Sequence, residues 1–319
     1  MINLISLCQD AEKIGIGGHI RPDGDCIGST CGLWQFLRKV FPEKQTDLYL
    51  EKPADIYGDI PGVAQINFEE KDVIYDVFFV IDSVPERTGM AEKYYKTAKV
   101  KVNIDHHITN PGCGDFCYID AKASSASELV YDLIKAADPE GKYMDEELAK
   151  TIYLGIIQDC GVFQYSNTSP KTLCIAAKLI SAGFDFPALI DKTFYEKTYV
   201  QNKLLGIALG NSRRCLSDKF IYSVITRKDM EAVGADDHDF EGIVNQLRYT
   251  KGVWAAALLH ETKDGDYKVS LRSGEEVDVA KVAAAFGGGG HMRAAGCTLK
   301  GDSEKMIAGL SEKIAGQIK

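Results

Sequence analysis

The chain has 319 residues, 45% hydrophobic and 26% charged, with a formal net charge of −9. The length suggests two domains, and the composition is that of an ordinary globular protein. The acidic balance argues against broad binding of a nucleic-acid backbone, and no apolar run approaches a membrane span. Nine cysteines, an odd number, fit reduced thiols better than a disulfide framework. Met1-Ile2-Asn3-Leu4-Ile5 has no basic stretch ahead of an apolar core, so a cytoplasmic location is expected.

The first half alternates short β-branched or aromatic runs with helical spacing. Strands are expected at Ile14–Gly17, Asp47–Leu50, Val77–Ile81 and Lys99–Ile104. Ser29–Val40, Ser125–Ala137 and Asp145–Ile157 read as helices, the last with Asp145 as its cap. Near-continuous apolar strands separated by helices indicate a parallel sheet covered on both faces. From about Asp185 to Asn211 runs a helix-prone connector. Beyond it, Phe220–Thr226, Val253–His260 and Tyr267–Arg272 read as strands, with a hairpin turn at Asp264-Gly265-Asp266. Helices at Val277–Phe286 and Ser303–Ile318 complete a smaller mixed α/β domain.

The chemistry concentrates after the first strand. His19, Asp23 and Asp25 lie within seven residues, and Pro22 and Gly24 mark the segment as a loop. Grouped carboxylates and an imidazole call for a hard or borderline dication. Asp82 and Asp105-His106-His107 follow the next apolar strands, at the carboxyl ends where α/β sheets gather function. Asp159 should fall at a helix C-terminus, where a carboxylate is disfavoured unless a cation compensates it. A single Asp after a strand is commonly a cap or turn residue. Repetition at matching positions favours convergence on two ions about 3.5–4 Å apart, suited to in-line displacement at phosphorus. Downstream, Gly287-Gly288-Gly289-Gly290-His291 offers backbone N–H groups and a side-chain donor to an anion. Arg272, at a strand end, offers a bidentate phosphate fork.

In order, His19-x-x-Pro22-Asp23-x-Asp25-x-x-Gly28-Ser29, Asp82, Asp105-His106-His107, Gly155-Ile156-Ile157-Gln158-Asp159 and Gly288-Gly289-Gly290-His291 resemble the DHH family of phosphoesterases carrying a DHHA1 domain. The resemblance covers essentially the whole chain and is strongest to the nanoRNase and 3′-phosphoadenosine-5′-phosphate phosphatase branch. It implies a parallel-sheet catalytic domain over residues 1–190, a connector helix over 191–212 and a DHHA1 substrate domain over 213–319. It also implies two divalent ions, foremost Mn²⁺, with Mg²⁺ or Co²⁺ tolerated. His19, Asp23 and Asp82 would hold one ion; Asp25, Asp82, His106 and Asp159 would hold the other, with Asp82 bridging. His107 would assist the phosphoryl or leaving oxygen, and Asp105 would orient a triplet histidine. Arg272, Gly288, Gly289, Gly290 and His291 would grip the nucleotide. Gly161 to Asn167 lacks the basic residues that relatives tend to carry, which leaves substrate contacts from that loop open.

The expected function is hydrolysis of short oligoribonucleotides, linear dinucleotides or 3′,5′-bisphosphorylated nucleosides. No long duplex and no membrane partner is expected, and a homodimer is left open. A family II-like pyrophosphatase and a non-catalytic nucleotide sensor are the alternatives. A zinc finger from His106, His107, Cys113 and Cys117 is disfavoured by its irregular spacing.

Overall fold

The computed structural model describes residues 2–318. The first of its two units ends at Glu196. Its elements run α1 (Leu4–Cys8), β1 (Lys13–Gly17), α2 (Gly24–Val40), β2 (Gln45–Tyr49), β3 (Val77–Ile81), α3 (Ala91–Thr97), β4 (Val100–Asp105) and β5 (Phe116–Ile119). Four helices follow: α4 (Ala126–Ala137), α5 (Glu146–Asp159), α6 (Pro170–Ile180) and α7 (Phe186–Ile190). The strands form one parallel sheet in the order β2-β1-β3-β4-β5. All five residues of β3 are buried because both faces are covered. Val77, Phe79 and Ile81 join the core beneath α2, α4 and α5. Phe78 and Val80 meet Tyr49, Tyr75, Tyr94 and Tyr95 on the α3 side. The chain reverses direction across the sheet between β1 and β3, and that switch point is where such sheets open a crevice.

Helices α2 and α5 cross at a pair of glycines. A Cβ on Gly28 would stand 2.7 Å from the backbone of Gly155. Only glycine permits that approach.

The second unit begins at Lys197. It comprises α8 (Tyr199–Gly210), β6 (Arg213–Cys215), β7 (Phe220–Ile225), α9 (Arg227–Val233), α10 (Ile243–Arg248), β8 (Ala255–Glu261), β9 (Tyr267–Ser273), α11 (Val279–Ala284), β10 (Gly289–His291), β11 (Ala294–Leu299) and α12 (Ser303–Ala315). Its six strands lie in the order β10-β11-β9-β8-β7-β6. Only β7 and β8 pair in parallel, across the crossover through α9 and α10. Helices α11 and α12 pack on one face, and α8, α9 and α10 on the other.

Two expectations need correction. The segment after β1 is not all loop: Asp23 caps α2, and Gly24 and Asp25 already stand in its first turn. Residues 191–212 are not one connector helix. A π-helical turn spans Asp191–Tyr195, the next three residues are not helical, and a capping box between Thr198 and Gln201 starts α8 afresh. Within the glycine run, Gly289 and Gly290 pair with β11. Among the elements not anticipated are α3, β5, α6, α9 and α10.

Candidate metal centre

Loops and helix ends around the switch point bring six of the expected residues together. His19 follows β1, with Nε2 3.6 Å from Asp23 Oδ1 and 3.4 Å from Asp82 Oδ2. Its Nδ1 donates to the Ile20 carbonyl at 2.8 Å, which fixes the tautomer and leaves Nε2 free to act as a ligand. His106 follows β4, and its Nε2 lies 3.8 Å from Asp25 Oδ2, 3.6 Å from Asp82 Oδ1 and 3.1 Å from Asp159 Oδ2. Thus Asp82 faces both histidines, one through each oxygen.

Each carboxylate is positioned by its element. Asp23 Oδ1 accepts the N–H groups of Asp25 and Cys26, so this residue is a helix cap and a candidate ligand at once. The oxygens of Asp25 accept N–H groups of Ala126 and Ser127 at the α4 N-terminus, at 2.7 and 2.9 Å. Asp159 is the last residue of α5. Asn167 Nδ2 donates both to the Asp159 carbonyl and to the Ser124 carbonyl just ahead of α4, clipping the two helix ends together. Sequence reading missed this clip, although Ser125-x-x-Glu128 is a legible capping signature for the α4 start.

Asp82 stands in the left-handed region, at φ +58. For a residue other than glycine this costs on the order of 1 kcal/mol, and the surroundings hold it there. Asp82 N donates to the Ile104 carbonyl. Asn103 Nδ2 donates to the carbonyls of Val80 and Ser83 on either side. Only 3% of Asp82 is exposed, and its buried Oδ1 has no hydrogen-bond partner. Burial, with the Asp25 carboxylate nearby, raises its pKa well above the usual carboxylate range. Burial, with Asp25, Asp82 and Asp23 around it, pushes Asp159 up to about 9. Burial would lower His19, but Asp23 and Asp82 outweigh it and hold its pKa up. An orphaned buried oxygen among crowded carboxylates and imidazoles fits a bound dication.

His107 borders this cluster as a half-exposed ring, with Nδ1 3.5 Å from Asp82 Oδ1. Its Nδ1 donates to Asp105 Oδ1 at 2.7 Å, and that carboxylate also accepts from Asn110 Nδ2 at 2.6 Å. The Asp105 bond raises the His107 pKa, while burial opposed by His107 and Asn110 leaves Asp105 below its ordinary value. Asp105 therefore orients His107, and Asn103 and Asn110 brace both Asp105 and the Asp82 turn. Neither asparagine was singled out from sequence. Of the disfavoured zinc set, Cys117 is exposed.

In the second unit, strand register places Arg272, Ala294 and His291 in one row across β9, β11 and β10, and hence on one face. His291 and the glycines of β10 are exposed. Gly290 has φ +141, and a Cβ there would stand 2.5 Å from the Ala294 carbonyl oxygen.

The fold and site define a metal-dependent phosphoester hydrolase built on a parallel sheet. Residues 13–156 match the DHH family, N-terminal domain, and residues 217–319 match the DHHA1 domain. The chain belongs to the DHH family with a C-terminal DHHA1 domain. It is 30% identical over 313 residues to the bifunctional oligoribonuclease and PAP phosphatase NrnA of Bacillus subtilis, covering 97% of this chain and 96% of that protein. The protein of the same name from Thermus thermophilus is 32% identical over 292 residues, covering 90% and 84%. Among solved structures, an exopolyphosphatase-related protein from Bacteroides fragilis superposes with a TM-score of 0.84 at 26% identity, covering 98% of this chain and 94% of that one.

Proposed function

We propose that the protein hydrolyses short oligoribonucleotides, linear dinucleotides and 3′,5′-bisphosphorylated nucleosides. The observation that carries this is Asp82: buried, orphaned at Oδ1, and placed between His19 and His106. His19, Asp23 and Asp82 would hold one dication; Asp25, Asp82, His106 and Asp159 would hold a second, and this N/O donor set suits Mn²⁺. When bound, such a pair supplies a hydroxide nucleophile at neutral pH and offsets charge developing at phosphorus.

The chain's own residues do the rest. With Nδ1 tied to Asp105, His107 presents Nε2 outward, and its raised pKa favours the protonated ring. It donates that proton to the phosphoryl or leaving oxygen. Arg272 and His291 offer a planar fork and an imidazole to a phosphate, and the glycines beside His291 leave backbone N–H groups unobstructed. The two named curated relatives are an oligoribonuclease and PAP phosphatase by name, which supports the same substrate classes here.

Purified protein with Mn²⁺ should release 5′-mononucleotides from a dinucleotide and orthophosphate from 3′-phosphoadenosine-5′-phosphate, with little turnover of pyrophosphate. Asp82→Asn tolerates the positive φ and should lose both activities. Preferred hydrolysis of pyrophosphate, or an Asp82→Asn variant of undiminished activity, would refute the proposal.

A further inference from the structure

Cys26 plays no part in the reaction just proposed, yet it abuts the residues that do. It lies in the first turn of α2 and is fully buried. Its sulfur presses on the Gly18 backbone, where an added Cβ would stand 2.3 Å from Sγ. Donor atoms of His19, Cys26 and Asp82 all lie within 4.8 Å of one another. Among the described residues, Cys26 is the one cysteine found in such a group. Asp82, 3% exposed, turns Oδ2 into this group, while its unpartnered Oδ1 faces His106. Asp23 adds a fourth donor, 3.6 Å from His19 Nε2, while Asp82 Oδ2 lies 3.4 Å from the same nitrogen. Two donors each about 2.0–2.1 Å from a tetrahedral zinc ion stand about 3.4 Å apart. The spacing already matches a tetrahedral edge.

We propose that Cys26 is a sulfur ligand for a thiophilic dication at the His19–Asp23–Asp82 position, and that Zn²⁺ or Cd²⁺ captured there inhibits hydrolysis. This rests on that position being a metal site, as proposed above. His19, the Cys26 thiolate and Asp82 supply three donors, and Asp23, near His19, would move in to close the set as in a structural rather than a catalytic zinc site. As the sulfur–metal bond forms, the S–H bond breaks and its proton passes to solvent. Harder Mn²⁺ prefers the nitrogen and oxygen donors and gains little from sulfur, so the thiol discriminates between the two kinds of ion. A plain buried thiol would need none of these neighbours.

The full chain loaded with Co²⁺ tests this. Visible d–d bands report cobalt in the site, and a near-ultraviolet sulfur-to-cobalt charge-transfer band reports Cys26. Wild type should show both, and Cys26→Ala should keep the first and lose the second. Zn²⁺ inhibition of Mn²⁺-supported dinucleotide hydrolysis should weaken about 10–100-fold in the same variant. A charge-transfer band absent from wild type, or persisting in Cys26→Ala, overturns the sulfur ligand and leaves the metal centre standing. Absence of all cobalt bands overturns both. Should Cys26→Ala not fold, cobalt-edge X-ray absorption of wild type decides, because one sulfur at about 2.3 Å is required and an all-nitrogen-and-oxygen shell refutes it.

Discussion

Asp82 shows how one residue can be poor for the bare fold and necessary for the site. It is a buried carboxylate with an orphaned oxygen, in a backbone conformation that costs energy, beside other carboxylates. Replacing the charge by an amide relieves the repulsion without disturbing the turn. Asp82→Asn should therefore melt no lower than wild type without metal, by differential scanning calorimetry. Mn²⁺ should raise the melting temperature of wild type and not of the variant. Asp105 acts one bond further out. Asp105→Asn keeps a partner for His107 but removes the charge that holds its ring and raises its pKa. Turnover of a dinucleotide should fall about 10–100-fold. Measured against pH, the limb belonging to the protonated ring should move to lower pH. A variant with wild-type rate and profile would leave Asp105 a structural residue.

At the scale of elements, the site depends on how α2, α4 and α5 meet. A Cβ on Gly155 would lie 1.8 Å from Ser127 Oγ and 2.9 Å from Asp25 Oδ1. Gly155→Ala should thus displace α4, whose N–H groups hold Asp25, and cost roughly 1–3 kcal/mol of stability in urea unfolding. Mn²⁺ affinity should drop in the same variant. Asn167→Ala removes the clip between the Ser124 and Asp159 carbonyls and should also weaken Mn²⁺ binding, with a smaller change in stability.

These elements also show what the sequence could tell. β3 was legible because five successive apolar residues have no alternative reading, and α5 because Asp145 caps it. By contrast, β5 is four residues at a sheet edge, half exposed, with too short a pattern to stand out. The candidate ligands read as a set because each follows an apolar run. Asn103, Asn110 and Asn167 were not, since a lone asparagine carries no periodicity, and its hydrogen-bond partners are set only by the tertiary fold.

For the whole molecule, a formal net charge of −9 disfavours broad binding of a nucleic-acid backbone. Stability has its own pH sensor, remote in sequence from the candidate metal ligands. His260, on β8, is buried against Phe240 with ring centroids 4.0 Å apart, and neither ring nitrogen has a hydrogen-bond partner. Burial lowers its pKa from 6.5 to about 4, with Asp237 opposing and Lys268 and Arg227 assisting. The unfolded chain then takes up a proton that the folded one refuses. Its contribution is fully present above about pH 6.5 and is lost as pH falls toward 4, amounting to at most about 3 kcal/mol. Urea unfolding at pH 7 and pH 5 should show this slope in wild type and a flatter one in His260→Phe. An unchanged slope would move the sensor elsewhere.

The central claim is that Asp82 joins two ion positions, and metal content tests it most directly. After equilibration with Mn²⁺ and removal of free ion, wild type should retain about two ions per chain, the count of a two-metal hydrolytic centre. His106→Ala should retain about one, and Asp82→Asn essentially none. Wild type without bound manganese, or Asp82→Asn with the full complement, would contradict it.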